Sequence, residues 1–142
     1  MPDFISLILT AIFLFLGCIH LYWVFGGNWG SDSVVPQLEL EGRPAFIPGV
    51  GITFLMVLIF WSIAALILAF SGFFQTPIER KIYRWCIAAV SAIFFLRAFG
   101  DFRYVGFFKK VRGTKFAYWD TRVYSPLCLL IGILTFYLAI TQ

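Results

Sequence analysis

Val50 to Thr76 carries no charged side chain, and neither does Val123 to Gln142. From Phe4 to Gly30 the one acidic or basic side chain is His20. A bilayer crossing needs about 20 apolar residues for a hydrocarbon core of about 30 Å, and these runs approach or exceed that length. The chain is 61% hydrophobic and 13% charged, against roughly 45–50% and 25% in a soluble domain. Too few charges remain to cover a water-facing surface, so the sequence reads as an integral membrane protein. The opening "MPDF" offers Asp3 and no base, which argues against a secretory signal. "LFLGC" ahead of Cys18 likewise lacks a positive leader, so residues 4–25 are expected to be a retained helix.

A further span is less plain. Thr76-Pro77-Ile78-Glu79 has the pattern of a helix start, with Thr76 as N-cap, Pro77 at N1 and Glu79 closing a capping box. The apolar run from Trp85 to Leu96 makes only about 18 Å of helix, so the span must draw in Arg80 to Arg84 or Arg97 and Asp101. Ser125-Pro126 reads as the cap and first residue of the last helix. The expected fold is an all-α, polytopic four-transmembrane-helix bundle, one domain over 1–142, with helices near 4–25, 50–72, 77–102 and 124–141. Ala88 and Ala92, and Ala64, Ala65 and Ala69, are small residues that allow close helix approach. Trp23, Trp29, Trp85 and Trp119 fall near the expected interfaces, whereas Trp61 falls mid-span and should pack.

Four spans place both termini on one side and the loops 26–49 and 101–122 together on the other. Those loops hold Arg43, Arg103, Lys109, Lys110, Arg112, Lys115 and Arg122, while the turn before the third helix leads into Arg80, Lys81 and Arg84. The positive-inside rule then puts the two loops in the cytoplasm and the termini outside. Most of the chemistry-bearing residues gather at the loop end.

Within "FFLRAFGDFRYVGFFKK", helical spacing would place Arg97, Asp101, Tyr104 and Phe108 on one face and pair Arg97 with Asp101 at i,i+4. An intramembrane ionisable pair is a functional-site candidate; the plainer alternative is an arginine reaching for headgroups. His20 could exchange a proton or simply tie helices together. Asp120 could balance Arg122 or Arg103. Trp23, Trp29 and Tyr104 would line a cavity at this end. "GGNWG" lacks phosphate-loop spacing, and no GxSxG is present for a serine hydrolase. One histidine cannot supply bis-histidine haem ligation. Cys18, Cys86 and Cys128 are isolated and read as small buried residues, with no CxxC for a zinc or dithiol centre. No metal or cofactor is expected. The run "KKVRGTK" suits an anionic leaflet and not nucleic acid, which would need a soluble basic module.

"HLYW", "GGNWG", "RAFGDFRYVGFFKK" and "FAYWDTRVYSPLCLLIG", taken together, resemble a family of small bacterial four-helix membrane proteins of unknown function. The resemblance implies bacterial origin, hence the cytoplasmic (inner) membrane, and a one-domain bundle; it carries no activity and no catalytic residue.

Three functions stay open. The first is binding of, or action on, an anionic amphiphile or lipid-like ligand through Arg97, Asp101 and Arg103, with His20 as proton carrier. The second is a structural or accessory subunit, with a membrane-protein partner or a second copy, whose charges set topology and helix packing. The third is a small transporter, which would want an acidic residue in mid-span. The sequence does not name a reaction.

Overall fold

The computed structural model describes residues 4–38 and 44–142. Asp3 and Arg43, which entered the charge reading above, lie outside the described residues. Helix α1 runs Phe4–Val24, a short α2 Ser31–Val34, α3 Val50–Phe70, α4 Arg80–Phe99, α5 Lys115–Trp119 and α6 Ser125–Thr141. A π-helical turn, Asp120–Tyr124, joins α5 to α6. Phe4–Val24, Val50–Phe70, Arg80–Phe99 and the continuous Lys115–Thr141 are each long and apolar enough to cross a membrane. The expected all-α architecture with four such helices therefore stands.

Helix α1 packs chiefly on α3, and α4 chiefly on α6. Leu9, Phe13, Ile67, Ile87, Ile131 and Leu138 are fully enclosed where the two pairs meet. The Phe13 and Phe94 rings meet edge to face with centroids 5.5 Å apart, an arrangement that aligns ring edge with ring face. Trp61 packs as expected: its Nε1 donates to the Leu14 carbonyl at 3.4 Å, over the place where Gly17 leaves room for the ring. Between α4 and α6 the seam is not the Ala88–Ala92 pair, since Ala92 is exposed. Ser91 occupies it, its hydroxyl donating to the Gly132 carbonyl at 2.8 Å. A hydroxyl bonded across a helix seam satisfies itself where no water can. Cys18 and Cys86 are exposed on the helix surfaces and Cys128 is half-buried, so none is the fully buried filler the sequence suggested.

Three helix ends differ from expectation. Helix α4 begins at Arg80, not Pro77. Glu79 is its N-cap, with extended backbone and no side-chain cap bond, and the Thr76 hydroxyl accepts from the Tyr83 hydroxyl instead of capping. Its other end is Phe99, because Gly100 turns out of the helix at φ 90°. The last span starts at Lys115, where the Thr114 side chain accepts from the Ala117 N–H and is the true cap. Pro126 has no N–H to give the Arg122 carbonyl. The chain accommodates it by widening one turn, with the Ser125 N–H reaching the Asp120 carbonyl five residues back.

The two loops do share one end. Lys115, at the start of α5, forms an ion pair with Asp32 of α2. At the opposite end the Arg80 Nε donates to the Gln142 carbonyl at 2.8 Å.

Gly100 and Gly106 have φ of 90° and 89° and lie so close that a Cβ on either would strike the other's backbone. Gly51 sits in α3 with open space around it. Gly106→Ala should therefore lower stability by at least about 2 kcal/mol, whereas Gly51→Ala should be neutral or slightly stabilising. Thermal unfolding of the detergent-solubilised variants checks the contrast.

Candidate functional site

Three chain segments meet beyond the end of α4: the loop 100–113, the α5–π–α6 corner, and the last turn of α4 that carries Arg97. The loop is built on one carboxylate. Asp101 Oδ1 accepts the backbone N–H groups of Arg103, Tyr104 and Val105 at 2.9, 2.7 and 2.9 Å. These bonds bend the chain through Phe102, which takes a left-handed φ of 60°. Phe107 N–H then donates back to the Ala98 carbonyl at 2.8 Å, and the Arg103 carbonyl takes the N–H groups of Lys110 and Val111. The result is a closed loop laid across the helix end.

The expected Arg97–Asp101 pair does not form. An i,i+4 contact needs helical backbone from 97 to 101, and Gly100 ends that backbone. Arg97 instead donates from Nη2 to Asp120 Oδ1 at 2.8 Å. Asp120 is fully buried and takes three more donors on Oδ2: Gly106 N–H at 2.9 Å, Lys109 Nζ at 2.9 Å and the Ser125 hydroxyl at 3.1 Å. Its partners are therefore Arg97 and Lys109, not Arg122 or Arg103. The widened turn that Pro126 imposes holds Asp120 and Ser125 within that reach of each other.

Lys109 is the residue that sequence reasoning missed. It is 2% exposed, and its ammonium spends all three donors, on the Gly106 carbonyl, Asp120 and the Thr121 hydroxyl. In the sequence it is the first of two adjacent lysines in a basic run, and only Lys110 stays outside. The available signal was Asp120 itself, a carboxylate in an apolar segment that requires a cation close by.

The remaining candidates fall outside this cluster. Arg103 is exposed and lies over its neighbour Tyr104, with its guanidinium carbon 5.1 Å from the ring centroid. Arg103, Asp101, Phe102, Lys110 and Val111 line an open groove of about 410 Å³. Phe99, Phe102 and Phe108 form an exposed ridge beside it, with centroids 6.1 and 6.3 Å from Phe108. His20 stays on α1, where its Nδ1 meets the Leu16 carbonyl at 2.8 Å and its ring packs between Trp23 and Phe60. Trp23 Nε1 donates to the Trp29 carbonyl at 2.9 Å, folding the "GGNWG" turn onto the end of α1. Trp29 lines a separate apolar groove of about 380 Å³ with Cys18, Ile19 and Tyr22. Among the described residues, no three histidine, cysteine, aspartate or glutamate side chains gather to hold a metal ion.

The geometry of the α4 end lies within the segment 13–135, which matches the family model described as "Protein of unknown function (DUF3995)". The chain belongs to that family. DUF3995 assigns no activity, and it agrees with the resemblance read from the sequence. No curated protein and no solved structure matches the chain. In this DUF3995 member the chemistry must be read from the site.

Two outcomes follow. Removing the Asp120 carboxylate leaves two cations facing each other with no counter-charge, so Asp120→Ala should cost about 3–5 kcal/mol, read by thermal or denaturant unfolding. Asp101 titrates differently. Partial burial opposes its ionisation, but the backbone N–H donors of Val105, Arg103 and Tyr104 outweigh that and hold its carboxyl below the usual carboxylate range. A depressed pKa means the loop's stabilisation is complete above the unfolded value of about 3.9. It is lost as pH falls below that value and through the folded one. The protection factors of Arg103 to Val105, exchange rates taken relative to the free amides at each pH, should therefore fall only below about pH 4, and Asp101→Asn should abolish the step.

Proposed function

We propose that this protein binds an anionic amphiphile where the loop 100–113 meets the membrane surface. The observation that carries the reading is the juxtaposition of a cationic groove and an aromatic ridge. Arg103 and Lys110 supply two exposed cations on the groove's rim. Phe102 and Phe108, 60% and 58% exposed, stand beside them just past the end of a membrane-length helix. Aromatic rings favour the headgroup level of a bilayer, and basic side chains there attract phosphate- or carboxylate-bearing lipids. Asp101 lies on the same groove, where its Oδ1 accepts three backbone N–H groups and shapes the loop, and the two cations outnumber its one negative charge.

In this reading Arg103 takes the headgroup, joined by Lys110. His20 stands apart, bonded to α1 itself, and has no part in it. The chain would form one domain in a bacterial cytoplasmic membrane, with this end in the cytoplasm. That orientation supports the reading, because the inner leaflet carries the anionic headgroups the groove would meet.

A second reading, a structural or accessory subunit, is favoured by one specific observation: Asp120 and Lys109 are completely satisfied inside the fold. Groups so committed serve as a lock and leave nothing for a substrate.

Native mass spectrometry of mildly solubilised protein separates the two. Wild type should retain phosphatidylglycerol in preference to phosphatidylcholine. The double variant Arg103→Ala/Lys110→Ala should retain roughly tenfold less of the former with unchanged stability. Equal retention of both lipids by both proteins would sink the amphiphile reading and leave the structural one.

A further inference from the structure

We infer that Arg97 is a second oxyanion-binding point, separate from the Arg103–Lys110 groove, which takes one oxygen of a carboxylate or phosphate group. The inference starts from the donors and acceptors of the Asp120 cluster. A carboxylate offers about four lone-pair sites, and Asp120 receives four donors. Because Lys109, Gly106 and Ser125 occupy Oδ2, Arg97 cannot use its fork on both oxygens and is left with a single contact through Nη2. Its other terminal nitrogen, Nη1, is enclosed and has no acceptor among the described residues. A buried donor on a charged group is the costliest kind to leave unmet.

The charge count points the same way, since Arg97 and Lys109 are two cations against one carboxylate. The cluster thus carries one surplus positive charge, and of its two cations Lys109 has committed all three donors while Arg97 has one without an acceptor. Arg97 is also the accessible member of the cluster: its side chain is 32% exposed, against 1% for Lys109 and 0% for Asp120. An arriving oxygen reaches Nη1 when the guanidinium pivots on its Nη2–Asp120 bond toward its open side. Arginine suits this task because its planar fork can serve two acceptors at once. A lipid headgroup and a free anion both carry the required chemistry.

The test uses the whole solubilised protein and two probes, inorganic phosphate and dioleoyl phosphatidylglycerol, each titrated while thermal unfolding is followed. Wild type should show a saturable rise in Tm of several degrees. A rise with phosphate alone identifies a free anion as sufficient; a rise only with the lipid assigns the oxygen to a headgroup. Arg97→Gln removes the guanidinium and leaves Lys109–Asp120 as a matched pair. It should fold with a lower Tm than wild type, because Asp120 loses one of its four donors, and in the Arg103→Ala/Lys110→Ala background, which lacks the groove's own cations, it should lose the response. Arg103→Ala/Lys110→Ala should keep the response, which distinguishes this point from the groove. The inference falls if neither probe stabilises wild type, or if adding Arg97→Gln to the Arg103→Ala/Lys110→Ala background leaves the response unchanged. Loss of the response in the groove variant alone would return it to the amphiphile site and overturn the role given to Arg97.

Discussion

The Asp120 carboxylate is the constraint on which this end of the molecule depends. It is wholly buried and accepts from four groups that come from four places in the chain: the last turn of α4, the loop glycine Gly106, Lys109, and the start of α6. Removing a carboxylate from water costs several kcal/mol even after relaxation, and only a full set of donors offsets that. The cluster therefore forms as a unit. Once it forms, the loop 100–113 has one position across the helix end, and Arg103, Lys110 and the phenylalanine ridge are presented together.

Two backbone features make the cluster reachable. Gly100 and Gly106 let the chain leave α4 and return with their backbones in contact, a path closed to any residue with a Cβ. Pro126 prevents an α-helical bond to the Arg122 carbonyl, and the wider turn that results places Asp120 beside Ser125. A proline that looked in the sequence like the first residue of a helix is instead the reason for a π turn inside a longer one. π turns of this kind are often found at functional sites.

Helix existence was legible because a helix able to cross a membrane needs a long apolar run, and such runs are visible in any one-dimensional reading. Trp61 as a packing residue was legible for the same reason, since a mid-span position leaves it no interface to anchor. Helix ends were less so. Thr76 has the chemistry of a cap, but Tyr83 claims its hydroxyl, and Ser125 likewise serves Asp120. A side chain with cap chemistry caps only if no tertiary partner competes for it. The Arg97–Asp101 pair failed on a single residue, Gly100, whose positive φ ends the helix before the fourth residue is reached. Lys109 could not be told from Lys110, because the two are chemically identical neighbours and only the path of the loop turns one inward.

By itself the sequence determined that this protein's long helices are apolar enough to cross a membrane, how many there are, and the end at which its polar chemistry collects. All three depend on sums over many residues, so single misreadings do not change them. Tertiary structure alone decided which charge meets which. Ion pairing acts over a few ångströms, and whether two side chains come within that range is set by where a glycine bends the backbone and a proline widens a turn. Asp120, at sequence separations of 23 and 11 from its two cations, could find them only in three dimensions.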